Sequence, residues 1–195
     1  EKVLVYGDYD VDGTTATSCV YIFLKKFGVE VDFYIPHRFK EGYGINQEGI
    51  QYAVDMKANL IVSVDCGITA IQEAKDAKAK GIDLIICDHH TVGDEIPDAV
   101  AVLDPKRPDC TYPFDGLSGA GVGFKLIQGT LKKLGLKAKE AYHFLDLVAI
   151  SIASDIVPIV DENRILMKAG LEILKKNPRI GISALLDLIK MPRAD

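Results

Sequence analysis

Short apolar runs alternate with helix-periodic stretches through the first half of the chain. Val3-Leu4-Val5-Tyr6 is a continuous apolar run stopped by Gly7, and it predicts a strand. Over 14–27, Ala16, Cys19, Val20, Phe23, Leu24 and Phe27 recur at helical spacing until Gly28 ends the pattern. Residues 31–35 alternate apolar with polar, as a half-buried strand does, up to Pro36. Asn46 predicts the cap of a helix reaching about Lys57, and 60–64 predicts the next strand. Thr69, with Gln72 three residues on, reads as a capping box that opens a helix to Lys80 before Gly81. Two more strands follow at 82–87 and 99–103.

Uninterrupted apolar strands separated by helices imply a parallel sheet covered on both faces. The expectation is an α/β fold with a mainly parallel, five-stranded sheet. Right-handed crossovers then place the loops after successive strands along one edge. The pattern changes after Asp104-Pro105-Lys106-Arg107-Pro108 and Tyr112-Pro113, a rigid, irregular connector. Helices are predicted at 119–134, 138–154, 162–176 and 180–190, with Asn177-Pro178 between the last two. One domain in two parts is expected, 1–116 as the sheet part and 117–195 as a helical part. The opening Glu1-Lys2 and the closing Met191-Pro192-Arg193-Ala194-Asp195 read as edges of a longer chain, the latter as the start of a linker.

Composition narrows the class. Apolar residues at 48% and charged residues at 26% suit a globular protein with a sizeable core. No apolar run approaches the ~20 residues of a membrane span. The net charge of −5 does not exclude nucleic acid, because acidic residues gathered around cations are inverted locally. Cys19, Cys66, Cys87 and Cys110 form no Cys-x-x-Cys pair, so a zinc or redox motif is not indicated. They fit small apolar residues in a reducing cytoplasm.

The candidate chemistry lies at the predicted strand ends. Asp8, Asp10 and Asp12 alternate with spacers directly after the first strand, and in an extended segment they point to one side. Like charges so placed repel unless cations neutralise them. An EF-hand calcium loop also reads D-x-D-x-D-G, but here a strand precedes it and Cys19 stands where a glutamate is needed. Asp65 follows the third strand, with Gly67 free to turn the chain sharply. Asp88-His89-His90 follows the fourth; imidazole binds first-row metals, and an adjacent carboxylate fixes its tautomer. Neighbouring residues in an extended segment point opposite ways, so one histidine is expected on metal and the other toward a phosphate. Asp155 ends an apolar helical stretch, where a buried carboxylate is costly unless paired. Leu117-Ser118-Gly119-Ala120-Gly121-Val122-Gly123 opens a helix without a P-loop ending. Close packing and backbone approach to a substrate phosphate are both open there. Pro36 to Gly44 carries Arg38 and Tyr43, types that pair with phosphate and stack on bases.

In order, D-Y-D-V-D-G, V-D-C-G, D-H-H and A-S-D-I-V-P resemble the motifs of the DHH superfamily of phosphoesterases. Tyr6-Gly7, the P-x-R-x-x-E-G-Y-G pattern from Pro36 and L-S-G-A-G-V-x-F-K-L from Leu117 resemble its RecJ branch of single-strand-specific exonucleases. The resemblance implies the DHH phosphoesterase fold. It implies 5′-to-3′ hydrolysis of single-stranded DNA with two divalent metals, manganese first and magnesium second, in DNA repair and recombination. By position, Asp10, Asp12, Asp65, His89 and Asp155 would ligate metal, with Asp65 as the bridge. Asp8 and Asp88 would support them, and His90 would face the scissile phosphate. Arg38, Tyr43, Gly119 and Gly121 would meet the substrate.

Two departures stand out. Tyr6 occupies the place where pyrophosphatases of the superfamily carry a metal-binding histidine. The family's C-terminal substrate-binding domain has no counterpart in the sequence. Alternatives within the superfamily are an oligoribonuclease or bisphosphate phosphatase, and a non-catalytic scaffold like Cdc45.

Overall fold

The structure, a computed structural model, describes residues 1–190; the linker expected at 191–195 lies outside them. Strands β1 (Lys2–Tyr6), β2 (Glu30–Tyr34), β3 (Leu60–Val64), β4 (Asp83–Cys87) and β5 (Ala101–Leu103) form one sheet in the order β2-β1-β3-β4-β5. Every pairing is parallel, as the continuous apolar runs require. The chain leaves β1 through α1 (Val11–Lys26) to β2 on one side, then returns through α2 (Gln47–Asp55) to β3 on the other. That reversal opens a crevice at the carboxyl ends of β1 and β3, the place where ligands bind in open α/β sheets. Helix α3 (Ile71–Ala79) joins β3 to β4.

Alternation along the strands feeds two cores. Val3, Val5, Val62, Val64 and Cys87 face α1 and the helices of the second half. Leu4, Tyr6, Ile61, Leu84 and Ile86 face Ile50 and Ala53 of α2 and Ala74 and Ala77 of α3. Each fully buried aliphatic, such as Leu4, Ile61 or Ile86, contributes roughly 1.5–3 kcal/mol. The second half runs through α4 (Gly119–Lys133), a 3₁₀ segment (Ala138–Phe144), α5 (Leu145–Ser154), α6 (Asp161–Lys176) and α7 (Ile180–Leu188). Phe124, Ile127, Phe144, Val148 and Ile152 join the first core, so this half closes one face of the sheet.

Three local expectations are corrected. Helix α1 starts at Val11, three residues earlier than its periodicity suggests, because Asp10 caps it by accepting from the Gly13 N–H at 2.8 Å. Asp8, Asp10 and Asp12 therefore do not share an extended segment; Asp12 stands in the first helical turn. Thr69 and Gln72 form no capping box. Ala70 is the cap residue, and the Gln72 amide donates instead to Asp76 at 2.8 Å. The helix expected at 138–154 breaks at Phe144, where Arg179 donates to the His143 carbonyl at 2.6 Å and pairs with Asp146. Among the described residues, no helix is long and apolar enough to cross a membrane.

Candidate metal centre

Four chain segments bring acids and imidazoles to the crevice. Asp65 sits just past β3 with φ 61°, its N–H donating to the Cys87 carbonyl at 2.9 Å. A left-handed aspartate is uncommon and costs of order 1–3 kcal/mol, a strain typical of functional sites. Gly67, at φ 113°, completes the turn that the sequence predicted there.

His89 stands at the middle of the cluster. Its Nε2 lies 3.0 Å from Asp65 Oδ1, 3.6 Å from Asp12 Oδ2 and 3.7 Å from Asp155 Oδ2. Asp155 caps the C-terminus of α5, so that helix, expected to carry a ligand, does reach the sheet edge.

Asp12 is almost fully buried and accepts three hydrogen bonds. The Gly119 N–H donates to its Oδ2 at 2.6 Å, and the Ala120 N–H and Ser151 hydroxyl donate to Oδ1 at 2.8 and 2.7 Å. The N-terminus of α4 thus points at a carboxylate, the pairing that the helix dipole favours. This resolves the glycine-rich loop. The Gly119 N–H is taken by Asp12 and the Gly121 N–H by Ser118 Oγ at 3.3 Å, so neither is free for a substrate phosphate. Close packing is the reason for glycine at 119: an added Cβ would lie 2.5 Å from Asp65 Oδ1.

Asp88 supports the centre. It accepts from the Ile68 and His89 N–H groups, each at 2.8 Å, and its Oδ1 lies 2.7 Å from His90 Nδ1. Burial pushes its carboxyl up, but the bonds from His90, Ile68 and His89 outweigh that and hold it below its ordinary value. The same Asp88 bond raises His90, against the opposing effect of burial. Tyr43 joins here, its hydroxyl donating to the Asp65 carbonyl at 3.2 Å and lying 3.1 Å from His90 Nδ1. Arg38 is exposed, its guanidinium 5.2 Å over the Tyr9 ring beside the first motif. Tyr6 belongs to the opposite core. Its hydroxyl donates to the Gly44 carbonyl at 2.9 Å, so it anchors the loop that carries Arg38 and Tyr43.

The arrangement is electrostatically incomplete. Burial, then the charges of Asp12 and Asp10, push Asp65 up to about 10. Burial also raises Asp8 and Asp155. Asp8 Oδ1 and His89 Nδ1 are buried without a hydrogen-bond partner. Three sets of ligand atoms lie within 4.8 Å of one another: Asp65, His89 and His90; Asp12, His89 and Asp155; Asp8, Asp10 and Asp65. Asp65 and His89 each belong to two sets. An all-oxygen-and-imidazole donor set with shared members fits a pair of divalent cations of the manganese or magnesium type. Asp8 and His90, expected beside the ligands, stand within ligand reach as well. Cys66 is buried outside these sets, with its thiol raised well above the ordinary range by burial.

Sequence reasoning missed Ser118 and Ser151. Their hydroxyls lie 2.5 Å apart, and Ser151 donates to Asp12. The available signal was spacing: Ser151 stands one helical turn before Asp155 on the same helix.

Known proteins share this architecture. The chain is 47% identical over 188 residues to the single-stranded-DNA-specific exonuclease RecJ of Bacillus subtilis, covering 96% of this chain and 23% of that protein. A crystal structure of exonuclease RecJ bound to manganese superposes with a TM-score of 0.86 at 32% identity, covering 99% of this chain and 49% of that one. The manganese complex of RecJ from Thermus thermophilus gives 0.81 at 29% identity, covering 98% and 27%. The chain thus spans about a quarter of the length of the Bacillus relative. The family model described as the DHH family, N-terminal domain, matches residues 2–152, which hold β1 to β5 and most of the acidic centre, and the chain belongs to the DHH family.

Proposed function

We propose that this chain is the catalytic core of a 5′-to-3′ exonuclease specific for single-stranded DNA, using two divalent metals, manganese in preference to magnesium. The carrying observation is that the Asp65 carboxylate is shared between two of the ligand sets, as a carboxylate bridging adjacent cations would be. Asp10, Asp12, Asp65, His89 and Asp155 would hold the cations. Bound there, such a pair supplies an activated water and neutralises charge on the phosphodiester. The names of the Bacillus and Thermus relatives support the substrate class.

The chain's own residues supply the rest. The Asp88 hydrogen bond raises His90 above its ordinary value and so favours its protonated form, which at the crevice mouth can donate to a phosphate oxygen. Tyr43 holds the Asp65 backbone in its strained turn and places an aromatic edge beside His90. Arg38 offers a cation for the strand's backbone. Residues 1–116 and 117–195 act as one catalytic domain, the second part bringing Asp155. We place the other wall of the strand channel on a further, C-terminal domain of a longer polypeptide, acting in the cytoplasm in repair and recombination.

The test is turnover of 5′-labelled single-stranded DNA with manganese, magnesium or chelator, beside duplex and dinucleotide controls. Manganese-dependent mononucleotide release from single strands is expected, stronger when the C-terminal part of a RecJ relative is added in trans. Cleavage that persists in chelator, or that is confined to the dinucleotide, overturns the reading.

A further inference from the structure

His89 and Asp104 are each left with one buried, unpartnered atom. His89 Nδ1 and Asp104 Oδ2 both lack a hydrogen-bond partner and both are sealed from solvent. The residues are 5% and 3% exposed, so neither atom has bulk water to turn to. An unmade hydrogen bond at such a site carries the full desolvation cost of each group.

The fold brings the two residues to the ends of neighbouring strands. Cys87 and Leu103, the last residues of β4 and β5, are register partners. Asp88 N–H extends that ladder by donating to the Leu103 carbonyl at 2.9 Å. Asp104 comes directly after β5, in register with Asp88, and His89 is the next residue along the neighbouring segment. Asp104 is held from the other side: its Oδ1 accepts from the Lys106 N–H at 2.8 Å, which fixes the carboxylate plane and leaves Oδ2 to face inward. Burial raises the Asp104 carboxyl, the Lys106 N–H bond opposes this, and His89 is the smallest of the neighbouring influences. Its opposite nitrogen, Nε2, already faces Asp65, Asp12 and Asp155.

We propose that Asp104 is the positioning residue of His89, its Oδ2 accepting the Nδ1 proton directly or through one bridging water. Held so, the imidazole presents its Nε2 lone pair to the cations, and the partner carboxylate raises its basicity. The inference rests on the metal-centre reading above and adds to it a residue from the end of β5 outside every ligand set. It also accounts for an acid that otherwise lies buried at the head of the Pro105–Pro108 connector.

The experiment compares wild type with Asp104→Ala and Asp104→Asn. Manganese affinity is measured by calorimetry, His89 tautomer by long-range proton–nitrogen NMR on the metal-free protein, and folding by thermal melting. Asp104→Ala should weaken manganese roughly 10–100-fold, the usual cost of removing such a partner. Asp104→Asn, which keeps an acceptor oxygen, should restore most of it. In wild type the His89 proton should sit on Nδ1, and Asp104→Ala should move it or mix the tautomers. Unchanged affinity with an unchanged tautomer in Asp104→Ala overturns the proposal while leaving the metal centre intact. Should Asp104→Ala not fold, the Nδ1 resonance in wild type and Asp104→Asn decides: a shift supports the contact and an identical signal sinks it. Absence of manganese binding by wild type is the separate outcome that removes the metal reading, and the metal-free tautomer still tests the Asp104 contact.

Discussion

Ser151 donates to Asp12 Oδ1 at 2.7 Å across 139 positions of sequence. This bond joins the first acidic motif, on α1, to the helix whose C-cap is Asp155. Ser118 completes the link, its hydroxyl 2.5 Å from that of Ser151 while it caps α4. One buried network therefore fixes the relative placement of α1, α4 and α5, and with them two ligands that no local pattern could bring together.

Ser151→Ala should remove a hydrogen bond to a buried carboxylate and strand the Ser118 hydroxyl. The expected loss is about 1.5–3 kcal/mol in urea unfolding, since one partner is ionised. Combined with Ser118→Ala, the losses should be less than additive, because both act through one network. A change within about 0.5 kcal/mol, the range of an ordinary surface substitution, would show that the network holds nothing.

Gly119→Ala should damage the metal centre selectively. Its new Cβ would fall 2.5 Å from Asp65 Oδ1 and displace the shared carboxylate. Gly129 lies in the same helix with no atom within 4 Å of an added Cβ. Gly129→Ala should therefore leave manganese affinity unchanged and gain about 0.4–1 kcal/mol through a less flexible unfolded chain. Equal affinities for the two variants in a calorimetric titration would contradict the close approach at Asp65.

The sheet was legible because its strands are buried on both faces and read as continuous apolar runs; β1, β3 and β4 fall where those runs lie. The acids were legible because carboxylates after such runs are unusual. Three features were not. The glycines of the 117–123 segment look like a phosphate cradle, yet their N–H groups turn inward to Asp12 and Ser118, a direction that only packing sets. Thr69 and Gln72 have capping-box spacing, but the turn after Gly67 carries the helix start one residue further, to Ala70. Asp10 reads as one of three equivalent acids, while its carboxylate already caps α1.

Metal-free stability should fall as pH rises from 6 to 9. Asp65, pushed up to about 10 by burial and by Asp12 and Asp10, keeps its proton in the folded chain and releases it on unfolding. A raised carboxyl pKa means that the folded state binds more protons in this window, so stability drops with pH. His90, raised by Asp88, acts in the same direction. Asp88, held low, has the opposite sign, but its contribution is lost only in acid, outside the window. Tm in chelator should decline by roughly 2–4 °C for each kcal/mol lost. Manganese at about 100 times its Kd should restore roughly 2.7 kcal/mol and release protons on binding. A Tm in chelator that is flat or rising across this range would refute the assignment of Asp65.

Asp88→Asn should lower the His90 pKa. The wild-type imidazole titrates above its ordinary value of 6.5, chiefly because Asp88 Oδ1 lies 2.7 Å from its Nδ1. With the charge gone, burial is left to push it below that value. Titration by NMR reads the shift without reference to turnover, and an unmoved His90 would detach Asp88 from this role.

Asp65→Asn tests the bridging role most directly. The substitution preserves shape and the backbone bond from Asp65 N–H to Cys87, so the fold should survive. It removes the one carboxylate that two ligand sets share. It also relieves a buried acid whose charged form is disfavoured, so stability in chelator at pH 8 should rise. Manganese binding and strand cleavage should collapse at the same time. That opposition separates a metal-bridging carboxylate from a structural one, because loss of a structural acid would lower stability and leave cleavage limited only by folding. Retention of wild-type kcat with manganese by Asp65→Asn would end the two-metal reading.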